Sequence, residues 1–418
     1  MLQKERYYAL DVFRGATVAL MILVNNPGSW GHIFSPLAHA SWHGCTPTDL
    51  VFPFFLFAVG NAMAFVMPKF EKGTPTDFWK KVVKRTVLIF LIGLFLNWSP
   101  FVKWSDGHLV AKTWENIRIL GVLQRIAICY FFASVIVYYG KSKLAFYIGA
   151  LILIAYWMLC FLLGTQGHPY SLSGFFGNAI DQTILGVNHI YKGEGVPFDP
   201  EGLISTLPAI VQVIFGFLVG EYIQAKGKSF EMLAQLLLAG VILVLAGYIW
   251  DFSFPINKKI WTSSYVLLTL GWDLILISLL IFVVEVQKVS KWTYFFQAFG
   301  RNPLILYVLS GVVISCSAAS AKRWWDAVRV GNGLDIKVVC YATQQSSDLA
   351  AVCLVGVVAA LEVVATNSLG QGVDAVLDGA HTFKQARHFP HHPMGVAGHT
   401  QRHGNDGGDG ASARALLQ

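Results

Sequence analysis

The chain has 418 residues, of which 55% are apolar and only 13% charged, and its mean hydropathy is +0.54. A soluble globular domain carries about 25% charged residues, so the composition excludes an ordinary water-soluble fold. The net charge of +7 follows membrane topology, as shown below, and is not a nucleic-acid footprint. The six cysteines (45, 129, 160, 316, 340 and 353) fall singly, at neither zinc nor redox spacing, so neither a metal site nor a disulfide framework is implied.

Each crossing of a bilayer needs about 20 mostly apolar residues. On that measure the sequence predicts an all-α, polytopic transmembrane helix bundle. Its nine spans fall near 8–26, 49–68, 82–98, 119–139, 144–164, 206–224, 231–250, 263–284 and 293–315. The first span holds Asp11 and Arg14, which break the apolar run and argue for a retained helix rather than a cleaved signal peptide. The connections alternate in charge. One set carries fourteen Lys and Arg (4, 6, 69, 72, 80, 81, 84, 85, 141, 143, 226, 228, 288, 291), the other six (103, 112, 118, 192, 258, 259). The positive-inside rule assigns the first set, and the N-terminus, to the cytoplasm. The connections 27–48, 99–118, 165–205 and 251–262 then face outward. The long connection 165–205, rich in Gly, Pro and Asn, shows no helical period.

Ionisable residues inside spans are costly and therefore informative. Asp11 and Arg14 share a helix face three residues apart and suit a structural ion pair or a ligand contact. Arg125, within GVLQRIAICYFF, must face the bundle interior or a polar cavity. Asp49 opens the second span in TPTDLVFP, where Thr46, Thr48 and Asp49 are all good helix caps. The densest polar cluster lies between the first two spans: Asn25, Asn26, His32, His39, Ser41, Trp42, His43, Thr46, Thr48 and Asp49. A histidine in a loop is most often inert, but imidazole is the side chain suited to moving a proton near neutral pH. Spacing alone does not choose among His32, His39 and His43. No P-loop, dinucleotide fingerprint, nucleophile elbow or HExxH is present.

Six sequence features carry a family resemblance: YYALDVFRGATVALMILVNNPG, HASWHGCTPTDLVFPFFLFAVG, GVLQRIAICYF, FDPEGLISTLPAI with GFLVGEY, NKKIWTSSYVLLTLGWD and GRNPLILYVLSG. In order from residue 7 to about 312, they resemble the heparan-α-glucosaminide N-acetyltransferase family and its bacterial relatives. The resemblance implies a membrane acyltransferase that takes acetyl from cytosolic acetyl-CoA and passes it to an amino sugar or glycan on the far side. It implies a bacterial inner-membrane location, no metal, and room for a homodimer. The family's catalytic histidine is the first residue of HASW, here His39, and the asparagine ending its first helix is Asn25. His39 then acts as general base or as acetyl carrier, with the general base preferred, and Asn25 as a donor to the thioester carbonyl. Arg14 and Arg125 are expected on the coenzyme's phosphates or pantetheine path, by charge alone. Asp11, Asp49 and Trp42 are supporting residues, and Asp49 is expected more as a cap than as an orienter of His39.

Residues 317–418 depart from this pattern. They hold five of the chain's aromatics, and half of its twelve histidines lie between His381 and His403. The expected organisation is therefore an acyltransferase-like domain over 1–316 and an out-of-family region over 317–418. The expected cause is a frameshift that replaced further apolar helices, leaving an inactive truncated relative as one alternative. A transporter is the other, since charges in spans also suit a permeation path. The absence of matched broken helices in two halves of the sequence counts against it.

Overall fold

The computed structural model describes residues 7–26, 33–105 and 108–312. His32, the last three residues of the ninth expected span and the whole of 317–418 lie outside the described residues.

The described chain is helical. In order it forms α1 (Tyr8–Asn25), α2 (Val51–Glu71), α3 (Pro75–Trp98), α4 (Val122–Leu163), α5 (Gly177–Leu185), α6 (Leu203–Lys226), α7 (Phe230–Asp251), α8 (Ser263–Ile281) and α9 (Thr293–Arg301). A two-stranded antiparallel ribbon, β1 (Val102–Ser105) with β2 (His108–Ala111), follows α3. Among the described residues, six helices are long and apolar enough to cross a membrane: 8–25, 47–71, 122–163, 203–226, 230–251 and 263–286.

The nine expected spans are not reproduced as nine such helices, for three physical reasons. The first half of α3 carries Asp77, Lys80, Lys81, Lys84 and Arg85, which leaves only 86–98 as an apolar run. The fourth and fifth expected spans run end to end in one 42-residue stretch, α4, parted by a backbone break at Lys141 (φ 54°, ψ −178°), in the gap expected between them. At 1.5 Å per residue a straight helix of that length would be about 63 Å long, twice the hydrocarbon thickness of about 30 Å. The ninth span is interrupted at Asn302, because Pro303 supplies no N–H and disfavours helical geometry in the residue before it. A shorter apolar helix, Pro303–Val312, follows. The connection 165–205 also departs from expectation by containing α5.

Close backbone approach holds the bundle together. On α6, Gly216 and Gly220 repeat at four-residue spacing and face Phe57 and Ala64 of α2, while Gly60 of α2 faces Val213 and Phe217. A Cβ on Gly216 would stand 2.2 Å from the Phe57 carbonyl oxygen, and one on Gly60 would stand 2.0 Å from that of Val213. Between helices in lipid, small residues of this kind replace the missing hydrophobic driving force with dispersion contact. The pair α1–α9 uses the same device, with Gly15 against Phe296 and Gly300 against Asp11. Large apolar side chains turn outward on the remaining faces, among them Leu151, Ile154 and Leu162 of α4 and Leu238, Leu245 and Ile249 of α7. Apolar belts of this extent are unstable in water and natural in lipid.

Candidate active site

The α1–α2 connection is pinned to the bundle at Leu37, which packs on Met21, Val24 and Val51. Two residues later the chain presents His39, a half-exposed imidazole. Its Nδ1 lies 2.7 Å from Oδ1 of Asp49, a carboxylate only 1% exposed. The other carboxylate oxygen, Oδ2, accepts the backbone N–H of Ala40 and of Thr46, each at 3.0 Å, and lies 3.0 Å from the Thr46 hydroxyl. Asp49 therefore both closes the turn that starts α2 and holds His39. The cap and orienter readings describe the two oxygens of one carboxylate.

The chain from Asn257 to Thr262 forms the opposite wall. Asn257 organises it as an Asx-type turn, its Oδ1 accepting the Ile260 N–H at 3.0 Å while Thr262 Oγ1 accepts the Asn257 N–H at 3.0 Å. That turn places Lys258 Nζ 3.2 Å from Asp49 Oδ1 and 3.1 Å from His39 Nδ1. Both contacts to His39 compete for the same nitrogen. With Nδ1 protonated, it donates to Asp49 and Lys258 also donates to Asp49, so every group is satisfied. That tautomer leaves the Nε2 lone pair open. The two loops are further joined by the Gly44 N–H donating to the Ile256 carbonyl at 2.8 Å, and Tyr265 OH donates to the Asp49 carbonyl at 2.5 Å.

Trp42 anchors the cluster to the long connection, donating its indole N–H to the Tyr170 carbonyl at 2.9 Å and packing on Phe198. Lys259 sits over its ring, 5.7 Å from the centroid, and donates to the Ser41 carbonyl and to Glu194, each at 2.7 Å. His43 lies beside Asn257. Burial lowers its pKa, with Asp251 opposing. Burial and then the Asp49 charge push the Cys45 thiol up to about 12, with Lys258 working the other way.

The remaining expected site residues sit at separate places in the bundle. Asn25 is the exposed last residue of α1 and lines a cavity of about 140 Å³ with Asn26, Asn97, Tyr307 and Ser310. His39 is not among the residues lining that cavity. Arg14 pairs with Asp11 at 3.6 Å and donates to the Gly300 carbonyl at 3.1 Å, at the α1–α9 contact. Arg125 lies at the start of α4 against the start of α6, 1% exposed. It donates to the Pro200 carbonyl at 2.7 Å and to the Ser205 hydroxyl, with its guanidinium 4.9 Å from the centroid of the Trp261 ring.

Sequence reasoning missed Lys258, Trp261 and Tyr265 as parts of this cluster. Their signal lay in NKKIWTSSY, where an Asx turn and two lysines precede a helix. It also missed the acidic group beneath the long connection. Arg118 is held by Asp199 (3.0 Å and 2.5 Å) and by Glu201. Burial opposes its charge, but Glu201 and Asp199 together keep the guanidinium pKa raised. Asp181 of α5 accepts the Leu203 N–H at 2.9 Å at the start of α6, and burial raises its pKa to about 6. Among the described residues no cluster of three or more His, Cys, Asp or Glu could hold a metal ion.

No protein-family model matches the chain. Two curated proteins are similar to it: the heparan-alpha-glucosaminide N-acetyltransferases of Mus musculus and Homo sapiens. Each is 28% identical, over 358 and 356 residues, covering 73% and 72% of this chain. The chain spans about half the length of the curated relatives it matches, 53% and 52% respectively. The similarity is that of a distant relationship, and it agrees with the resemblance carried by the sequence motifs.

Proposed function

We propose that this chain is a membrane-embedded N-acetyltransferase with His39 as its general base. The observation that carries the reading is the Nδ1–Asp49 pair at 2.7 Å. A buried carboxylate on Nδ1 fixes the imidazole tautomer, keeps Nε2 unprotonated and stabilises the imidazolium that forms when Nε2 takes a proton. The names of the two relatives support acetyl transfer to a sugar amine as the chemistry.

In this reading acetyl-CoA enters from the cytosolic side and the amine of a glucosamine-type sugar from the extracytoplasmic side, with the N-terminus inside. The uncharged amine attacks the thioester carbonyl carbon, and Nε2 of His39 takes the amine proton as the C–N bond forms. The C–S bond then breaks, and the same proton leaves Nε2 for the departing thiolate, giving the N-acetyl sugar and CoA–SH. Asn25 donates its amide N–H to the carbonyl oxygen as charge develops there. Arg14, seven residues into α1 from the inner end, takes a coenzyme phosphate. The acetyl-histidine route would instead leave the nucleophilic Nε2 acylated between two half-reactions. The Asp49 pair suits the proton-transfer route, since it orients the ring with the Nε2 lone pair open.

Membranes carrying the intact chain, supplied with labelled acetyl-CoA and glucosamine, are expected to yield labelled N-acetylglucosamine. Uptake of glucosamine without acetylation would replace this reading with transport.

A further inference from the structure

Below the His39 cluster lies a buried layer of N–H donors that the proposed chemistry does not yet use. Arg125 is 1% exposed and spends one terminal nitrogen, Nη2, on Pro200 and Ser205. Its Nε and Nη1 have no hydrogen-bond partner among the described residues, and neither has Nε1 of Trp261, which is also 1% exposed. The two side chains are stacked, with the guanidinium 4.9 Å from the indole centroid. An unsatisfied buried donor costs about 1–3 kcal/mol and more when charged, so three of them on two stacked side chains point to a partner. Guanidinium and indole nitrogens donate and never accept, which restricts that partner to an oxygen acceptor.

Charge balance narrows the class further. Arg118 and Arg125 together face Asp199 and Glu201, so the two cations already have two anions. Asp181 adds a third carboxylate within electrostatic reach of Arg125. A phosphate bearing one or two full charges would leave this region strongly negative in a poorly solvated setting. A neutral carbonyl oxygen supplies an acceptor without adding net charge.

The layer is joined to His39 through packed side chains. The Trp261 ring meets Tyr265 edge-on at 5.3 Å, and Tyr265 OH donates to the Asp49 carbonyl. Trp261 is held at φ 50°, where a bulky aromatic residue is rare and strained. Its neighbours Phe52 and Tyr265 keep it there.

We infer that Arg125 and Trp261 form a donor-only site for a carbonyl oxygen of the acyl donor. This rests on the acetyltransferase reading, adds Trp261 to the residues that would touch the donor, and gives Arg125, expected on the coenzyme by charge alone, a neutral carbonyl as its contact. The carbonyl belongs either to the acetyl thioester or to a pantetheine amide, which share the same acceptor chemistry.

The test uses the purified full chain with acetyl-CoA, CoA and adenosine 3′,5′-bisphosphate as probes. Trp261→Phe removes the indole N–H and keeps an aromatic ring. Arg125→Lys keeps the charge and removes the planar fork, and serves if the first variant does not fold. A thioester contact predicts that kcat falls about 10- to 100-fold with KM for acetyl-CoA and CoA affinity unchanged. A pantetheine contact predicts that KM for acetyl-CoA and Kd for CoA both rise about 10-fold with kcat unchanged. Binding of adenosine 3′,5′-bisphosphate, which has phosphates but no donor carbonyl, stays the same in both cases. Folded variants that match the parent within about two-fold in all three, or that selectively lose the bisphosphate, overturn the inference. Failure of the parent itself to bind acetyl-CoA would sink the acetyltransferase reading instead.

Discussion

His39 and Asp49 stand ten residues apart in the chain and 2.7 Å apart in space, and the carboxylate in the turn leading into α2 is the one that grips the imidazole. The tight turn between them makes this possible. Backbone N–H groups from Ala40 and Thr46 hold one oxygen of Asp49, so the other is aimed at Nδ1 without freedom to rotate away. Lys258 arrives from a loop more than 200 residues later and compensates the carboxylate charge.

Asp49→Asn keeps the shape of the side chain but can donate to Nδ1, which favours the tautomer with a proton on Nε2. The expected result is a loss of about 100-fold or more in kcat with little change in KM for acetyl-CoA. Steady-state kinetics across acetyl-CoA concentrations checks it. An unchanged kcat would leave Asp49 as a cap alone.

Asp181 gives stability a pH dependence whose sign can be worked out. Its folded pKa, about 6, exceeds the unfolded carboxylate value of about 3.9. Between those values the folded chain binds more protons than the unfolded one, so this group's contribution falls as pH rises from about 4 to 6 and is flat above. Asp181→Asn is expected to remove that falling limb while retaining an acceptor for the Leu203 N–H. Thermal melts of parent and variant at pH 4.5, 5.5 and 7 measure the difference.

Gly216→Leu should break the α2–α6 contact, because a Cβ there already meets the Phe57 carbonyl oxygen at 2.2 Å. Overpacking of this kind costs about 1–3 kcal/mol or more when the obstacle is backbone. The expected outcome is a marked drop in melting temperature and folded yield. The exposed Leu245→Ala on α7 should change either far less.

Orientation is testable with single cysteines at two exposed lysines. Lys192→Cys, in the connection expected outside, should react with an impermeant maleimide in intact cells. Lys72→Cys, between α2 and α3, should react only after permeabilisation. The reverse pattern would invert the topology and with it the direction of acetyl transfer.

Local chemistry was readable from the chain, and distant chemistry was not. His39, Trp42 and Asp49 lie within eleven consecutive residues, so a motif could mark them together. Lys258, Trp261 and Tyr265 join them only after the bundle has formed, and no periodicity within 251–265 announces a partner at Asp49. Hydropathy located the apolar segments well because lipid demands length and composition. It placed the break at Lys141, in the gap between the fourth and fifth expected spans, and missed the one at Asn302, where the proline that follows ends α9. The nine residues of α5 were missed because so short a helix owes its existence to tertiary contact rather than propensity. Asp181 on it binds the start of α6.

The central claim, that His39 takes the proton from an attacking sugar amine, is tested most directly by one comparison. Membranes bearing the parent chain and membranes bearing His39→Ala, matched for folded protein, are given labelled acetyl-CoA and glucosamine. Labelled N-acetylglucosamine is expected from the parent, with a loss of about 100-fold or more in the variant. Undiminished label transfer by His39→Ala would contradict it.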